Sequence, residues 1–403
     1  MKYVGLIGLS VVAATFIMSG CGDDSSSGPS APADLTSLTE VNVSSVQNAI
    51  AFLGWFSPMS ASAPKTKAAE QIAAIKTEIA TKIATIKDSG GDSYSYTYDC
   101  SISGTWGYSY KSTYDYKTDG SWTETYTSTY QANNCVDNYS GTVNSEPVNR
   151  YFQNGNNSYS RSATYNSDAN MSNETWQWSD NYSYGYDNNG TKTSRTYTYQ
   201  SNGNETWSAD GEYFDATGNP SFTDTWNYVG TRKRVDVNSS GAVNGGERDV
   251  FNEHNTWSGT QDGNYGKRTM HGFYAEYSTD SAGVETITGG EYFDNFVMEY
   301  TTSGNETNAT ISGKAGSLCL GGSMNFSTSP IIQQNQVDYM NDLNNTGGDV
   351  LPYAGVLTMK GDGGTGTVTF AADATMHTSA TVVAPDGNAT FGRWSTLAVG
   401  ACD

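Results

Sequence analysis

Between Asp92 and Gly313 the chain contains no leucine, and it holds 25 of its 28 tyrosines and 7 of its 9 tryptophans there. Any core in this stretch must therefore be built from aromatic rings. The rings alternate with small polar residues. Tyr94, Tyr96 and Tyr98 are followed at the same parity by Cys100, Ile102, Trp106, Tyr108, Tyr110, Tyr114 and Tyr116, and then by Trp122, Tyr126 and Tyr130. A period of two carried by Tyr, Trp and Thr is the pattern of half-buried antiparallel strands. The predicted fold class is mainly β: an extended antiparallel sheet or an open barrel of hairpins, preceded by a short N-terminal helical segment.

Turn dipeptides punctuate this region at Asp119-Gly120, Asn154-Gly155, Asn189-Gly190, Asn202-Gly203, Asp210-Gly211, Gly218-Asn219, Ser240-Gly241 and Asp262-Gly263. Asn-Gly and Asp-Gly supply the positive φ that two-residue hairpins need. Fragments recur: Asn173-Glu174-Thr175-Trp176 returns as Asn204-Glu205-Thr206-Trp207, and Gly211-Glu212-Tyr213-Phe214-Asp215 as Gly290-Glu291-Tyr292-Phe293-Asp294. Such echoes point to duplicated hairpins without one fixed period. Tyr186-Asp187-Asn188-Asn189-Gly190 and Tyr213-Phe214-Asp215-Ala216-Thr217-Gly218-Asn219 resemble the core of YD-repeat proteins, whose strand-turn units form a long β ribbon. The resemblance covers a few units and implies hairpins, not a shared function.

The flanks are aliphatic. Within the segment 35–91, Ser44 to Leu53 is one helical candidate. Pro64 to Asp88 is a second, with Ile72, Ile75, Ile79, Ile83 and Ile86 on one stripe that suits packing on the protein's own sheet. In the C-terminal segment 314–403, Gln333 to Asn344 reads as a short helix. Gly355–Gly361, Thr365–Ala372, Thr375–Ala384 and Ala389–Leu397 read as four strands that close the sheet or form a small β subdomain.

At the N-terminus Lys2 precedes an apolar run from Tyr3 to Met18, then Ser19-Gly20-Cys21. This charged n-region and h-region are too short for a spanning helix. The segment resembles the lipobox signal of bacterial lipoproteins, in which residues 1–20 are removed and Cys21 is lipidated. Gly22 after the cysteine, where an Asp would retain the protein in the inner membrane, implies the outer membrane. Several acyl chains give stable attachment where one is marginal. Gly22 to Asp34, rich in Ser, Pro and Ala, reads as a flexible tether within the segment 21–34. A membrane-spanning barrel is disfavoured, because its outer band would be Tyr, Ser and Thr rather than aliphatic.

Four further cysteines remain: Cys100, Cys135, Cys319 and Cys402. An even number in an exported chain suggests disulfides. Three connectivities are open, with Cys100–Cys135 and Cys319–Cys402 favoured because each pair shares a compositional region. Closing loops of that size is worth roughly 3–5 kcal/mol each on the chain-entropy model. No CxxC or Cys/His cluster supports zinc.

The net charge of −21 disfavours a nucleic-acid partner, and none is expected, since phosphate binding needs clustered Lys and Arg. His254, His271 and His377 lie in separate contexts with no catalytic signature beside them, so no catalytic residue is nominated. Carboxylate pairs can be drawn almost anywhere among 42 acids and carry no information alone. No cofactor is implied. Calcium is the one ion with some support, from hard oxygens in the turns Asp187-Asn188-Asn189-Gly190 and Asp386-Gly387-Asn388, although neither has EF-hand spacing. The aromatic face is the one candidate with a mechanism, because Tyr and Trp present flat apolar bodies with polar edges. Three functions follow, in order: a non-enzymatic, lipid-anchored outer-membrane protein with a structural or adhesive role; a glycan- or lipid-binding module using the aromatic face; and an envelope hydrolase. The partners implied are the membrane, through the anchor, and a glycan or protein ligand.

Overall fold

The computed structural model describes residues 28–54, 90–167, 171–210, 219–304, 306–329, 331–334, 354–372, 378–387 and 389–393. Two short helices, α1 (Ala33–Thr36) and α2 (Val43–Gly54), precede one antiparallel sheet of seventeen strands. β1 (Gly90–Asp99) and β2 (Ser103–Tyr116) form its first hairpin. Then come β3 (Trp122–Val143), β4 (Glu146–Tyr165), β5 (Met171–Asp187) and β6 (Ser194–Asp210). They are followed by β7 (Ser221–Val237), β8 (Val243–Thr260), β9 (Tyr265–Thr279) and β10 (Glu285–Ser303). These eight strands run 15 to 22 residues, which is about 50–70 Å of extended chain.

Shorter strands complete the sheet: β11 (Glu306–Ser317), β12 (Gly322–Thr328), β13 (Ile331–Gln334), β14 (Val356–Gly361), β15 (Gly364–Ala372), β16 (Thr378–Val383) and β17 (Ala389–Arg393). Each strand from β2 to β12 pairs with its predecessor. β13 then prolongs the line of β12 along β11, and β14 pairs with β12. Among the described residues nothing pairs with the outer edge of β1 or of β17, so the sheet is open and not a barrel.

The register puts the rings on one face. Tyr96 lies opposite Tyr108, Tyr108 opposite Tyr130, and Tyr116 opposite Trp122, while Thr127, Ser160 and Gln177 line up on the other face. The sequence parity is thus preserved across strands. Cys100 and Ile102 fall in the loop after β1, where the Cys100 N–H donates to the Gly104 carbonyl at 3.0 Å.

The aliphatic core sits at the far end of the sheet from β1. Helix α2 starts at Asn42, whose side-chain oxygen accepts the Ser45 N–H at 2.9 Å while Ser45 Oγ accepts the Asn42 N–H at 2.7 Å. Its Val46, Ala49 and Phe52 are buried against Phe293, Phe296, Met324, Phe326, Met359 and Val368. Leu35 of α1 is buried on the opposite face with Val250, Phe273 and Ala275. The chain between the helices crosses the hairpin ends: the Ser323 N–H donates to the Ser37 carbonyl, the Thr39 N–H to the Ser323 carbonyl, and the Asp362 N–H to the Thr39 carbonyl, at 2.6 to 2.9 Å. This strap holds both faces. It begins earlier than the tether reading allowed, since Gly28 already lies against the Asn252 side chain and Ala31 packs on the Leu35 cluster.

Several expectations change. Asn154-Gly155 and Asn202-Gly203 are not turns; they lie inside β4 and β6. Gly155 has φ +104°, a conformation open to glycine, beside the register shift between Ala132 and Cys135. Gly203 leaves room for a ring: a Cβ there would stand 2.3 Å from Cζ2 of Trp178. Asp119-Gly120, Asn189-Gly190, Ser240-Gly241 and Asp262-Gly263 do fall between strands, and residues 211–218 lie outside the described ones. Gln333 and Gln334 end β13 rather than opening a helix, because pairing with Thr307 and Glu306 occupies their backbone. The remainder of that expected helix, and the one from Pro64 to Asp88, lie outside the described residues.

Cys100 and Cys135 form a disulfide with Cα atoms 5.5 Å apart, joining the β1–β2 loop to β3. Cys319 is also disulfide-bonded; Cys402 and Cys21 lie outside the described residues.

Candidate functional site

The aromatic face resolves into a track of rings crossing five strands. Tyr94 of β1 contacts Tyr110 of β2 at 5.7 Å between centroids, Tyr110 contacts Tyr126 of β3 at 5.1 Å, and Tyr126 contacts Tyr159 of β4 at 5.6 Å. Tyr159 then meets Trp176 of β5 at 5.0 Å. Most of these contacts are tilted or edge-to-face, the arrangements that ring quadrupoles favour. At its β1 end the track is open to solvent: Tyr94, Tyr96 and Tyr98 are 54%, 45% and 49% exposed. The helices pack on the distant aliphatic end instead.

A second track runs from Trp106 through Tyr130 to Tyr182, with contacts of 5.4 and 5.0 Å. There the Gln153 side-chain oxygen accepts from Tyr130, from Tyr151 at 3.3 Å and from Tyr182 at 2.8 Å. Burial pushes the Tyr182 hydroxyl well above its ordinary range, so it acts as a neutral donor.

At the inner end of the first track, acids and tryptophans form a checkerboard. Glu174-Thr175-Trp176, Glu205-Thr206-Trp207 and Asp224-Thr225-Trp226 sit on β5, β6 and β7, and Asn255-Thr256-Trp257 on β8. Because neighbouring strands are antiparallel, the register places each acid beside a ring. Glu174 lies opposite Trp207, Trp176 opposite Glu205, Glu205 opposite Trp226, Trp207 opposite Asp224, and Asp224 opposite Trp257. The recurring Asn-Glu-Thr-Trp was legible in the sequence, but the pairing it produces requires the strand register.

Arg161 of β4 is the cation of this patch. It donates to Glu174, to Glu124 at 2.8 Å and to Tyr165 at 3.2 Å, and lies over the Trp176 ring at 5.1 Å. Among the described residues Glu205 and Asp224 have no such cationic partner. Burial, with the Glu174 charge, raises the Glu205 carboxyl. Burial, with Glu205 and Glu174 nearby, pushes Asp224 up to about 7, and its Oδ1 is buried without a hydrogen bond. On β10 burial likewise pushes Glu291 up to about 7, against the pull of Arg268.

These two carboxyls set the sign of a pH dependence. Their folded pKa lies above the unfolded one, so between roughly pH 4 and 7 the folded protein holds protons that the unfolded chain releases. Stability therefore falls as pH rises through that window. For Asp236 and Glu285 burial acts upward, but Arg195 and Arg248 outweigh it and hold them low, so their contribution is lost only at more acid pH. The unfolding free energy from urea titration is expected to be higher at about pH 5.5 than at about pH 7.5, by on the order of 1–2 kcal/mol per group. Asp224→Asn with Glu291→Gln should flatten that slope; an unchanged slope in the double variant would refute the assignment.

The other expected sites fall elsewhere. His254 lies directly opposite His271 on the polar face, with ring centroids 5.5 Å apart, and His271 Nδ1 is 3.4 Å from Asp294; His377 lies outside the described residues. The Asp187 turn uses its own oxygens: Arg150 donates to both Asp187 oxygens at 2.7 and 2.8 Å, and Asn188 Oδ1 accepts the Gly190 N–H at 2.8 Å. Among the described residues the one cluster with metal-ligand geometry is Cys100, Cys135 and Asp137, and its two sulfurs are joined in the disulfide.

A shallow cavity of about 270 Å³ opens on the ringed face, lined by Tyr159, Trp176, Trp178 and Glu205. The Trp178 ring lies across Gly203 to reach Tyr228, 5.8 Å away, so a glycine on β6 creates a flat floor beside the cavity. Compared with protein-family models, curated proteins and solved structures, the chain matches none.

Proposed function

We propose that this is a non-enzymatic, lipid-anchored protein of the bacterial outer membrane with an adhesive role, in which the ringed face of the sheet holds an extended glycan. The observation carrying this reading is the five-ring track, which starts on exposed tyrosines at the sheet edge and ends at an open cavity four strands away. Strands stand ~4.8 Å apart, so the track offers a ring at intervals close to the length of one sugar unit. Tyr and Trp present to a sugar both an apolar face and a hydrogen-bonding edge. The anchor reading is supported by the lipobox-like residues ending at Cys21.

Two measurements test it. Tyr94→Ser with Tyr96→Ser removes two half-exposed edge rings that meet Tyr110 and Trp106, so the unfolding midpoint should fall only modestly while glycan affinity falls roughly tenfold or more, each lost stacking contact being worth about 0.5–1.5 kcal/mol. Unchanged binding in the double variant would count against the track. For the anchor, intact mass of the membrane-associated chain should begin at an acylated Cys21, and an unmodified Cys21 would sink that part.

A further inference from the structure

We propose that the cavity formed by Tyr159, Trp176, Trp178 and Glu205 takes the protonated amino group of an amino-sugar unit, an inference that rests on the glycan-holding reading of the ringed face. Its walls are the Tyr159 and Trp176 rings, 5.0 Å apart and inclined at 52°, with Trp178 lying flat over Gly203. The single carboxyl group lining it is Glu205. Among the described residues Glu205 makes no ion pair, and it stands in register between Trp176 and Trp226.

The charges around it call for a cation. On this face, strands β3 to β7 bring together the carboxyl groups of Glu124, Glu174, Glu205 and Asp224; Arg268 of β9 lies beyond them over the Trp226 ring at 5.6 Å, and one guanidinium stands directly among them. That guanidinium, Arg161, is committed to Glu124 and Glu174. A half-buried carboxylate without a counter-charge costs the apo protein free energy, and a ligand ammonium recovers it. Aromatic faces add cation–π attraction to the same ligand.

Other ligand classes fit less well. A neutral sugar satisfies the rings and leaves Glu205 uncompensated. A hard metal ion needs six or more oxygens, and one carboxylate lines the cavity. An anion meets like charge. An amino sugar uses both features: its apolar ring face lies on tryptophan and its ammonium reaches Glu205.

Calorimetric titration of the full-length protein near neutral pH with glucosamine trimer and with its N-acetylated counterpart tests the assignment. The cationic trimer should bind roughly tenfold or more tightly than the acetylated one. Glu205→Gln should abolish that preference while keeping the weaker, shared affinity. The substitution is isosteric and removes a desolvated charge, so the variant should unfold at or above the wild-type midpoint.

Equal affinity for the two trimers, or a preference that survives Glu205→Gln, would overturn the amino-sugar assignment and leave the glycan-holding reading standing. If neither trimer nor a panel of neutral oligosaccharides binds the wild type, the broader reading fails and this inference with it. Displacement of the cationic trimer by tetramethylammonium at equal concentration would also overturn it, because the site would then recognise a bare organic cation.

Discussion

Phe296→Ala is expected to destabilise the folded protein by about 3–5 kcal/mol, read as a lower urea midpoint with an unchanged slope. Phe296 is fully buried, and its ring meets Phe293 and Phe326 at 5.7 Å between centroids, the latter edge-on. Phe293 in turn stacks on Phe52 of α2 at 6.4 Å. The deletion therefore opens a void at the place where helix and sheet meet, and the surrounding rings cannot collapse without moving α2. Phe296→Leu keeps most of the volume and should cost less than about 1.5 kcal/mol. A loss below about 1 kcal/mol for the alanine variant would show that α2 does not close over this cluster.

Arg161→Met should cost about 3 kcal/mol, for a different reason. The methionine fills the space, so packing loss is small. What remains is Glu124 and Glu174 facing each other across the ringed face with no cation between them, and uncompensated buried charges are far costlier than missing apolar contacts. The Trp176 ring also loses its cation. Adding Glu174→Gln to the variant should restore much of the loss by removing one of the stranded charges. Arg161→Lys should rescue only in part, because a point ammonium cannot fork to two carboxylates. If Arg161→Met costs under about 0.5 kcal/mol, the network is a surface feature and the carboxylates are well hydrated.

Much of the fold was legible in the sequence, because period-two alternation follows directly from strand geometry. The parity of Tyr94, Tyr96 and Tyr98 with Trp106, Tyr108 and Tyr110 is the parity of one sheet face. The C-terminal strands were readable for the same reason, and the helix at Ser44 to Leu53 from its own apolar spacing of three to four residues. What escaped depends on the register between strands. Asn154-Gly155 and Asn202-Gly203 carry the same local turn signal as Asn189-Gly190, and only the neighbouring strand decides between turn and strand interior. Phe293 and Phe296 are three apart, a spacing that an ideal strand splits between faces; a register shift at Asp294-Asn295, with Asn295 at φ +47°, returns both to the core. The candidate site hid for a similar reason. Each Glu-Thr-Trp looks like a fragment of polar strand until antiparallel neighbours set acid against ring.

That repeated register also makes the sheet a ruler. The strap and α2 cap one end, β1 lies at the other, and between them β5 to β8 meet their neighbours through the same acid-to-ring and Thr-to-Thr correspondences. Inserting or removing one hairpin from the middle preserves every surviving contact at both ends, since an even number of strands restores direction and facing. Each such step changes the separation between the capped end and the exposed tyrosines by about 10 Å, two strand spacings. The distance over which the protein reaches is thus counted in hairpins and can change by whole units while both ends stay as they are.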